Sequence, residues 1–225
     1  MEELATLFRG DATLAGRLRV DMPSGIARNQ VLPGLPAFLD AHPGLEIELS
    51  STDRFVDVVR EGFDCVLRIG HVADSSLVAR PLGRFPVVNA ASPGYLARHG
   101  TPASPADLPR HQLVHYVSSF GQRDPGFEYL DGDTLRTVPM PGRITVNNAE
   151  AYQHACLAGL GIIQAPRIGI VHRFEEGSLV EVLPELAPPP MPVTLLYPHR
   201  RHLPKRVAVF MDWLAELLRP HLEQG

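Results

Sequence analysis

The residues best suited to chemistry in this chain are hydrogen-bond donors at two helix starts, and the task they suit is holding an anion. Asn147-Asn148-Ala149-Glu150 leads, one helix later, into Ala158-Gly159-Leu160-Gly161-Ile162-Ile163, a Gly turn and an apolar strand. Asn147 and Glu150 have capping-box spacing, and Tyr152, Ala155, Cys156 and Gly159 line one narrow apolar face, so a helix capped by Asn147 is expected. The first turn of a helix leaves backbone N–H groups unpaired and carries partial positive charge, which favours a carboxylate or similar anion. A second such terminus follows the strand pattern Arg17 to Asp21, where Pro23-Ser24-Gly25-Ile26 turns into a helix with Ser24 as the expected cap. Two strand-to-helix turns of similar chemistry, far apart in sequence, imply two lobes facing one ligand.

Further candidates sit at predicted strand ends. Arg68, Ile69 and Gly70 close a strand of a parallel sheet, the edge where open α/β sheets place their ligands. There Arg68 has two readings: a bidentate partner for a ligand carboxylate, or a side chain that pairs with an acidic neighbour of its own chain or faces solvent. Val117, Ser118 and Ser119 follow a later strand and offer hydroxyl donors, and the backbone around Gln164 and Pro166 offers more. Catalytic signatures are missing: the chain has no Gly-x-Ser-x-Gly elbow, phosphate-binding Gly-Lys loop or Gly-x-Gly-x-x-Gly fingerprint, so no enzyme activity and no cofactor are expected. His111 with His115, and His199 with His202, have spacings that hold a metal on a helix, but neither pair falls in a predicted helix, so no metal is expected. The basic cluster Arg200, Arg201, Lys205 and Arg206 precedes an amphipathic helix and reads as its solvated end.

The elements that position these residues alternate. After a short helical pattern and a polar break in residues 1–15 come a strand from Arg17 to Asp21, a helix from about Ser24 to Ala41 kinked by Pro33 and Pro36 or restarted at Pro33, and a strand from Leu45 to Ser50. A helix from Asp53 to Glu61 and a strand from Asp64 to Ile69 follow. That β-α-β order implies a parallel sheet covered by helices. An extended run, Phe85 to Ala91, reads as a crossover into a second α/β lobe, and Met191 to Tyr197 as the return strand. The last helix, about Pro204 to Leu218, carries Val207, Phe210, Met211, Leu214, Leu217 and Leu218 on one face and should pack on the first lobe.

The bulk numbers exclude several classes. The 225 residues can bury a sizeable core, and a net charge of -4 argues against a nucleic-acid-binding surface. No apolar run approaches the roughly 18 to 20 residues needed to span a bilayer, and Met1-Glu2-Glu3-Leu4 lacks signal-peptide character, so no membrane association and a cytoplasmic location are expected. The 2 cysteines, Cys65 and Cys156, lie in separate apolar segments and read as buried reduced thiols.

The chain resembles the effector-binding domain of LysR-type transcriptional regulators over residues 16–222. The resemblance rests on the joint order of Gly16-Arg17-Leu18-Arg19-Val20, Leu32-Pro33-Gly34-Leu35-Pro36 and Phe63-Asp64-Cys65-Val66-Leu67-Arg68-Ile69-Gly70. It continues with Leu77-Val78-Ala79-Arg80-Pro81-Leu82-Gly83, Ala91-Ser92-Pro93-Gly94-Tyr95-Leu96, Ala158-Gly159-Leu160-Gly161-Ile162 and Leu196-Tyr197-Pro198-His199-Arg200. It implies a type-2 periplasmic-binding-protein fold: two Rossmann-like lobes joined by two crossover strands, with a small-molecule effector between them. Lobe I would comprise 16–89 and 192–222, lobe II 90–191, and residues 1–15 would be the tail of a linker. The effector would touch Ser24 and Gly25 from one lobe and Asn147, Asn148 and Ala149 from the other. The resemblance further implies a homodimer through lobe I, a tetramer for the full-length protein, and promoter DNA contacts made only by an N-terminal winged helix-turn-helix. A free-standing solute-binding protein is the alternative, ahead of an enzyme on the same scaffold.

Overall fold

The computed structural model describes residues 14–54, 56–72, 76–199 and 202–223, so most of the expected linker tail, Asp74, Ser75, Arg200 and Arg201 lie outside the described residues. The first strand, β1 (Ala15–Met22), runs into a continuous helical rod: α1 (Ser24–Ile26), a π-helical turn (Ala27–Val31) and α2 (Leu32–Ala41). Pro33 and Pro36 both lie within this rod, and each lacks the N–H that a helix interior would use. The widened turn ends at Val31, two residues before Pro33; π-bulges are one of the established ways a helix absorbs an irregularity. Next come β2 (Gly44–Ser51), β3 (Cys65–Ile69) and β4 (Leu77–Phe85).

After Pro86 the chain enters the other lobe with β5 (Val87–Ala91), α3 (Pro93–His99), β6 (His115–Tyr116), β7 (Phe127–Asp131), β8 (Thr134–Val138) and β9 (Thr145–Val146). It continues through α4 (Ala149–Leu157), β10 (Ile163–Pro166), α5 (Arg167–Glu175) and β11 (Val180–Glu181). The return strand β12 (Met191–Pro198) and α6 (Lys205–Leu218) complete the fold.

Lobe I is built on a five-stranded sheet in the order β2-β1-β3-β12-β4. β1 is parallel to β2 from Ala15 opposite Gly44 to Met22 opposite Ser51, and parallel to β3 at Val20 opposite Cys65. β12 runs antiparallel to both β3 and β4, as a strand returning from the other lobe must. In lobe II β5 is the centre of a three-stranded antiparallel sheet, β10-β5-β11, beside two small ribbons, β6-β9 and β7-β8. Because β5 belongs to the second sheet, the outward crossing lies at Pro86, and a lobe boundary drawn at residue 89 falls inside β5.

Apolar alternation explains both cores. Leu18, Val20 and Met22 of β1 and Leu67 of β3 share a face with Val207, Phe210, Met211, Leu214 and Leu218 of α6, all at most 1 % exposed. Phe38 of α2 meets Phe210 edge-on with ring centroids 5.8 Å apart. Burial of each such side chain stabilises the fold by about 1.5–3 kcal/mol. The second core gathers Val88 and Ala90 of β5, Ile163 of β10 and Tyr152, Ala155 and Cys156 of α4.

The expected helix over Asp53 to Glu61 does not form. The described residues there make turns, closed by the Glu61 amide donating to Asp57 O at 2.8 Å and the Phe63 amide donating to Val58 O at 2.9 Å. Asp57 and Glu61 turn their carboxylates on the local backbone, accepting from Arg60 N and Asp57 N at 3.0 and 3.1 Å, the competition by which short polar side chains divert a chain from helix. Among the described residues no helix is long and apolar enough to cross a membrane.

Candidate functional site

β1, β2 and β3 all end at the same edge of the lobe I sheet, and the turns leaving them carry Ser24, Asp53 and Gly70. Ser24 is not the cap of its helix: Pro23 holds that place, and Pro23 O accepts from Ile26 N and Ala27 N, each at 3.0 Å. The Ser24 hydroxyl is thereby left to donate to Asp53 Oδ2 at 3.4 Å. Gly25 and Gly70 border open space, since a Cβ built on either meets nothing within 4 Å. Gly70 adopts φ +92°, a conformation that disfavours other residues, and its amide donates to Pro192 O at 2.8 Å.

Facing this edge from lobe II is the first turn of α4. Its cap is Asn148 rather than Asn147; Asn148 Oδ1 accepts from Ala151 N at 2.8 Å. Shifting the start by one residue releases Glu150 from the capping box and makes it the partner of Arg28 across the lobes, with Nη1 at 2.6 and 2.8 Å from the two carboxylate oxygens. The amide of Ala149 points out of the helix and donates to Asp53 Oδ2 at 2.7 Å. One carboxylate oxygen thus receives hydrogen bonds from a lobe I hydroxyl and a lobe II helix-start amide. Tyr116 of β6 stands nearby, its ring edge-on to Tyr152 at 5.3 Å. Burial, and secondarily the negative charge of Asp53, push the Tyr116 phenol up to about 12, so it is a neutral donor at physiological pH.

Other sequence candidates have different roles. Arg68 takes the second of its two readings: its Nη2 lies 2.6 Å from Asp21 Oδ2 and its Nη1 donates to Leu67 O at 2.8 Å, with Asp21 wholly buried and Arg68 7 % exposed. Strand geometry dictates this, because Asp21 lies opposite Val66 and Arg68 is two residues further along the same face of β3. Gln164 is consumed in tying lobe II together, donating to Asn89 Oδ1 at 2.7 Å and Glu128 O at 2.8 Å while accepting from Glu128 N at 2.8 Å. Pro166 caps α5, and Ile69 pairs with Val193 in the ladder. Val117 is buried, its amide on Val146 O at 3.0 Å, while Ser118 is exposed and donates to Gln122 Oε1 at 2.8 Å; Ser119 and Asn147 are exposed.

Asp53 was not among the sequence candidates. The signal was its position, two residues beyond the C-terminal end of a parallel strand, the same rule that selected Gly70. Among the described residues no group of three or more His, Cys, Asp or Glu side chains is arranged to hold a metal. His111 is buried, with Nδ1 3.2 Å from the Tyr95 hydroxyl, and His115 Nδ1 lies 3.5 Å from Asp124.

Two α/β lobes joined by crossing strands, with donors from both converging between the parallel strand ends and a helix start, define a ligand-binding module of the type-2 periplasmic-binding-protein class. The chain belongs to the LysR substrate-binding domain family, whose model matches residues 11–219. It is 46 % identical over 224 residues to the uncharacterized HTH-type transcriptional regulator YhjC of Escherichia coli K12, an alignment covering 99 % of this chain and 75 % of that protein. To the HTH-type transcriptional repressor PA14_22550 of Pseudomonas aeruginosa it is 36 % identical, covering 97 % of this chain and 69 % of that one. The regulatory domain of CrgA, a LysR-type transcriptional regulator from Neisseria meningitidis, superimposes with a TM-score of 0.78 at 27 % identity, covering 90 % of this chain and 98 % of that one. The chain is therefore the effector-binding domain of a LysR-type regulator, and its relatives carry the names of regulators rather than enzymes.

Proposed function

We propose that this domain senses a small organic acid held between the lobes, with Ser24 and the Ala149 amide as its principal donors and Gly25, Gly70, Asn147 and Asn148 bordering the space. The observation that carries this reading is the convergence of the Ser24 hydroxyl and the Ala149 N–H on one carboxylate oxygen. Donors from the two lobes are thus already spaced to receive an acid, and the α4 first turn adds favourable dipole charge. A fully apolar effector could make no use of these donors, whereas a carboxylate can accept from both at once. An acid that binds one lobe arrangement better than another shifts its population, and that shift is the signal passed to DNA. Arg68 has no part in the proposed site, because Asp21 holds its guanidinium.

DNA contact is assigned to an N-terminal helix-turn-helix region, and a cytoplasmic location follows from that task. For assembly we propose a two-fold dimer through lobe I, using the α1–α2 rod and α6, and a tetramer for the full-length protein, since closed two-fold symmetry is the commonest homo-oligomer solution. Sedimentation at micromolar concentration tests the dimer. The ligand reading is tested by a thermal-shift screen of small acids beside their amides and matched amines, because a ligand of the native state raises the melting temperature by mass action. Stabilisation by acids alone supports it; stabilisation only by amines or apolar compounds refutes it.

A further inference from the structure

The acid seat of the proposed site already holds a carboxylate, and it belongs to the protein. Asp53 Oδ2 takes the Ala149 amide at 2.7 Å and the Ser24 hydroxyl at 3.4 Å, the two donors that an effector acid would need. We infer that Asp53 is a resident competitor: in the empty domain it occupies the effector's acid seat and links the lobes, and an effector acid binds by displacing it. This rests on the proposed acid-sensing role and adds how that role is regulated.

Three features of the fold fit a carboxylate built to leave. Asp53 lies in the segment between β2 and β3, where the described residues form neither helix nor strand, so its withdrawal breaks no ladder. Its bond to Ala149 is exposed to water, which can solvate both groups when they part. A second interlobe link, Arg28 to Glu150 at 2.6 Å, grips the same first turn of α4 and can keep the lobes near each other while the seat changes hands. The charge balance agrees. An acid entering beside a retained Asp53 would set two carboxylates against one amide and one hydroxyl, and like charges so close cannot share the seat without raising one pKa strongly.

The cost of a resident competitor is weaker apparent binding, because an effector sees only the fraction of molecules with an open seat. If that fraction is about a tenth or less, removing the competitor strengthens acid binding about tenfold or more. The isotope-labelled 225-residue chain is titrated with acetate and, separately, with its neutral isostere acetamide, following the Ala149 amide resonance. The wild type is compared with Asp53→Ala and, if alanine harms folding, with Asp53→Leu, which fills the space without an acceptor and should show the same gain. The expected result is acetate affinity at Ala149 about tenfold or more higher in Asp53→Ala than in the wild type, with acetamide affinity changed much less. Equal acetate affinity in wild type and variant overturns the inference while leaving the acid seat intact. Weaker acetate binding in the variant also overturns it, making Asp53 a contributor to the site. Absence of acetate binding at Ala149 in every protein overturns both this inference and the acid-sensing reading beneath it.

Discussion

Replacing Arg68 with methionine separates its structural role from the ligand-binding role that its place on β3 suggests. Methionine keeps much of the side-chain volume but removes the charge that faces Asp21. Asp21 is wholly buried, and after the substitution only the Thr52 hydroxyl, 3.3 and 3.4 Å from its two oxygens, remains within hydrogen-bonding reach of its carboxylate among the bonds described. The charge-assisted bond at 2.6 Å accounts for about 1.5–3 kcal/mol of this, and stranding the buried carboxylate raises the total to about 3–5 kcal/mol. For a protein of this size each kcal/mol shifts the melting temperature by about 2–4 °C, so the fall should be roughly 6–20 °C. Urea denaturation of Arg68→Met, Asp21→Asn and the double variant completes a cycle. The double variant should recover part of the loss, with a coupling energy of about 2 kcal/mol or more. The folded Arg68→Met protein should still register acetate at the Ala149 amide. Destabilisation below about 1 kcal/mol, the value of an exposed pair, would refute the energetic argument, and loss of acetate binding from folded protein would return Arg68 to the effector site.

Asn148→Ala should lower stability by about 1 kcal/mol through loss of the cap bond to Ala151, while Asn147→Ala should change it by only a few tenths; equal effects in chemical denaturation would contradict the cap assignment. Phe210→Ala, in the centre of the lobe I core at 0 % exposure, should cost about 3–5 kcal/mol, and a cost near that of a surface change would mean the α6 packing is wrong. Burial pushes the Cys65 and Cys156 thiols from the ordinary 9.0 up to about 12, so both should resist a thiol reagent at pH 8 in the native protein and react once urea unfolds it. Because these raised values make the native state hold its protons more tightly than the unfolded chain, their contribution is complete below pH 9 and is lost as pH rises toward 12, visible as a falling urea midpoint in alkali. Rapid labelling of native protein at pH 8 would rule this out.

Local periodicity was legible wherever one face of an element meets a core. The alternation of β1, the apolar stripe of α6 from Val207 to Leu218 and the narrow face of α4 predicted elements that the structure contains within a residue or two, because burial on one side imprints the period of 2 or 3.6 directly on the residues. Where neither face is buried that imprint is missing. The β8 strand Thr134-Leu135-Arg136-Thr137 is exposed throughout and went unpredicted, although the Asp131-Gly132-Asp133 turn before it carried a hairpin signal. Residues 53–61 erred in the opposite direction, since an apparent helical pattern too short to stand alone lost to carboxylates bonding the local backbone.

The sequence by itself therefore determined the class of the molecule: two α/β lobes, the family to which it belongs, and two strand-to-helix turns that face each other across the lobes. Tertiary structure alone decided which acid those turns hold and which charges are spent elsewhere. Asp53 meets Ala149 across 96 residues of chain, Arg28 meets Glu150 across 122, and Arg68 finds Asp21 across 47. Such pairings depend on strand order and on how the lobes approach each other. Those are set by the summed packing of both cores, and no spacing of residues along the chain encodes them locally.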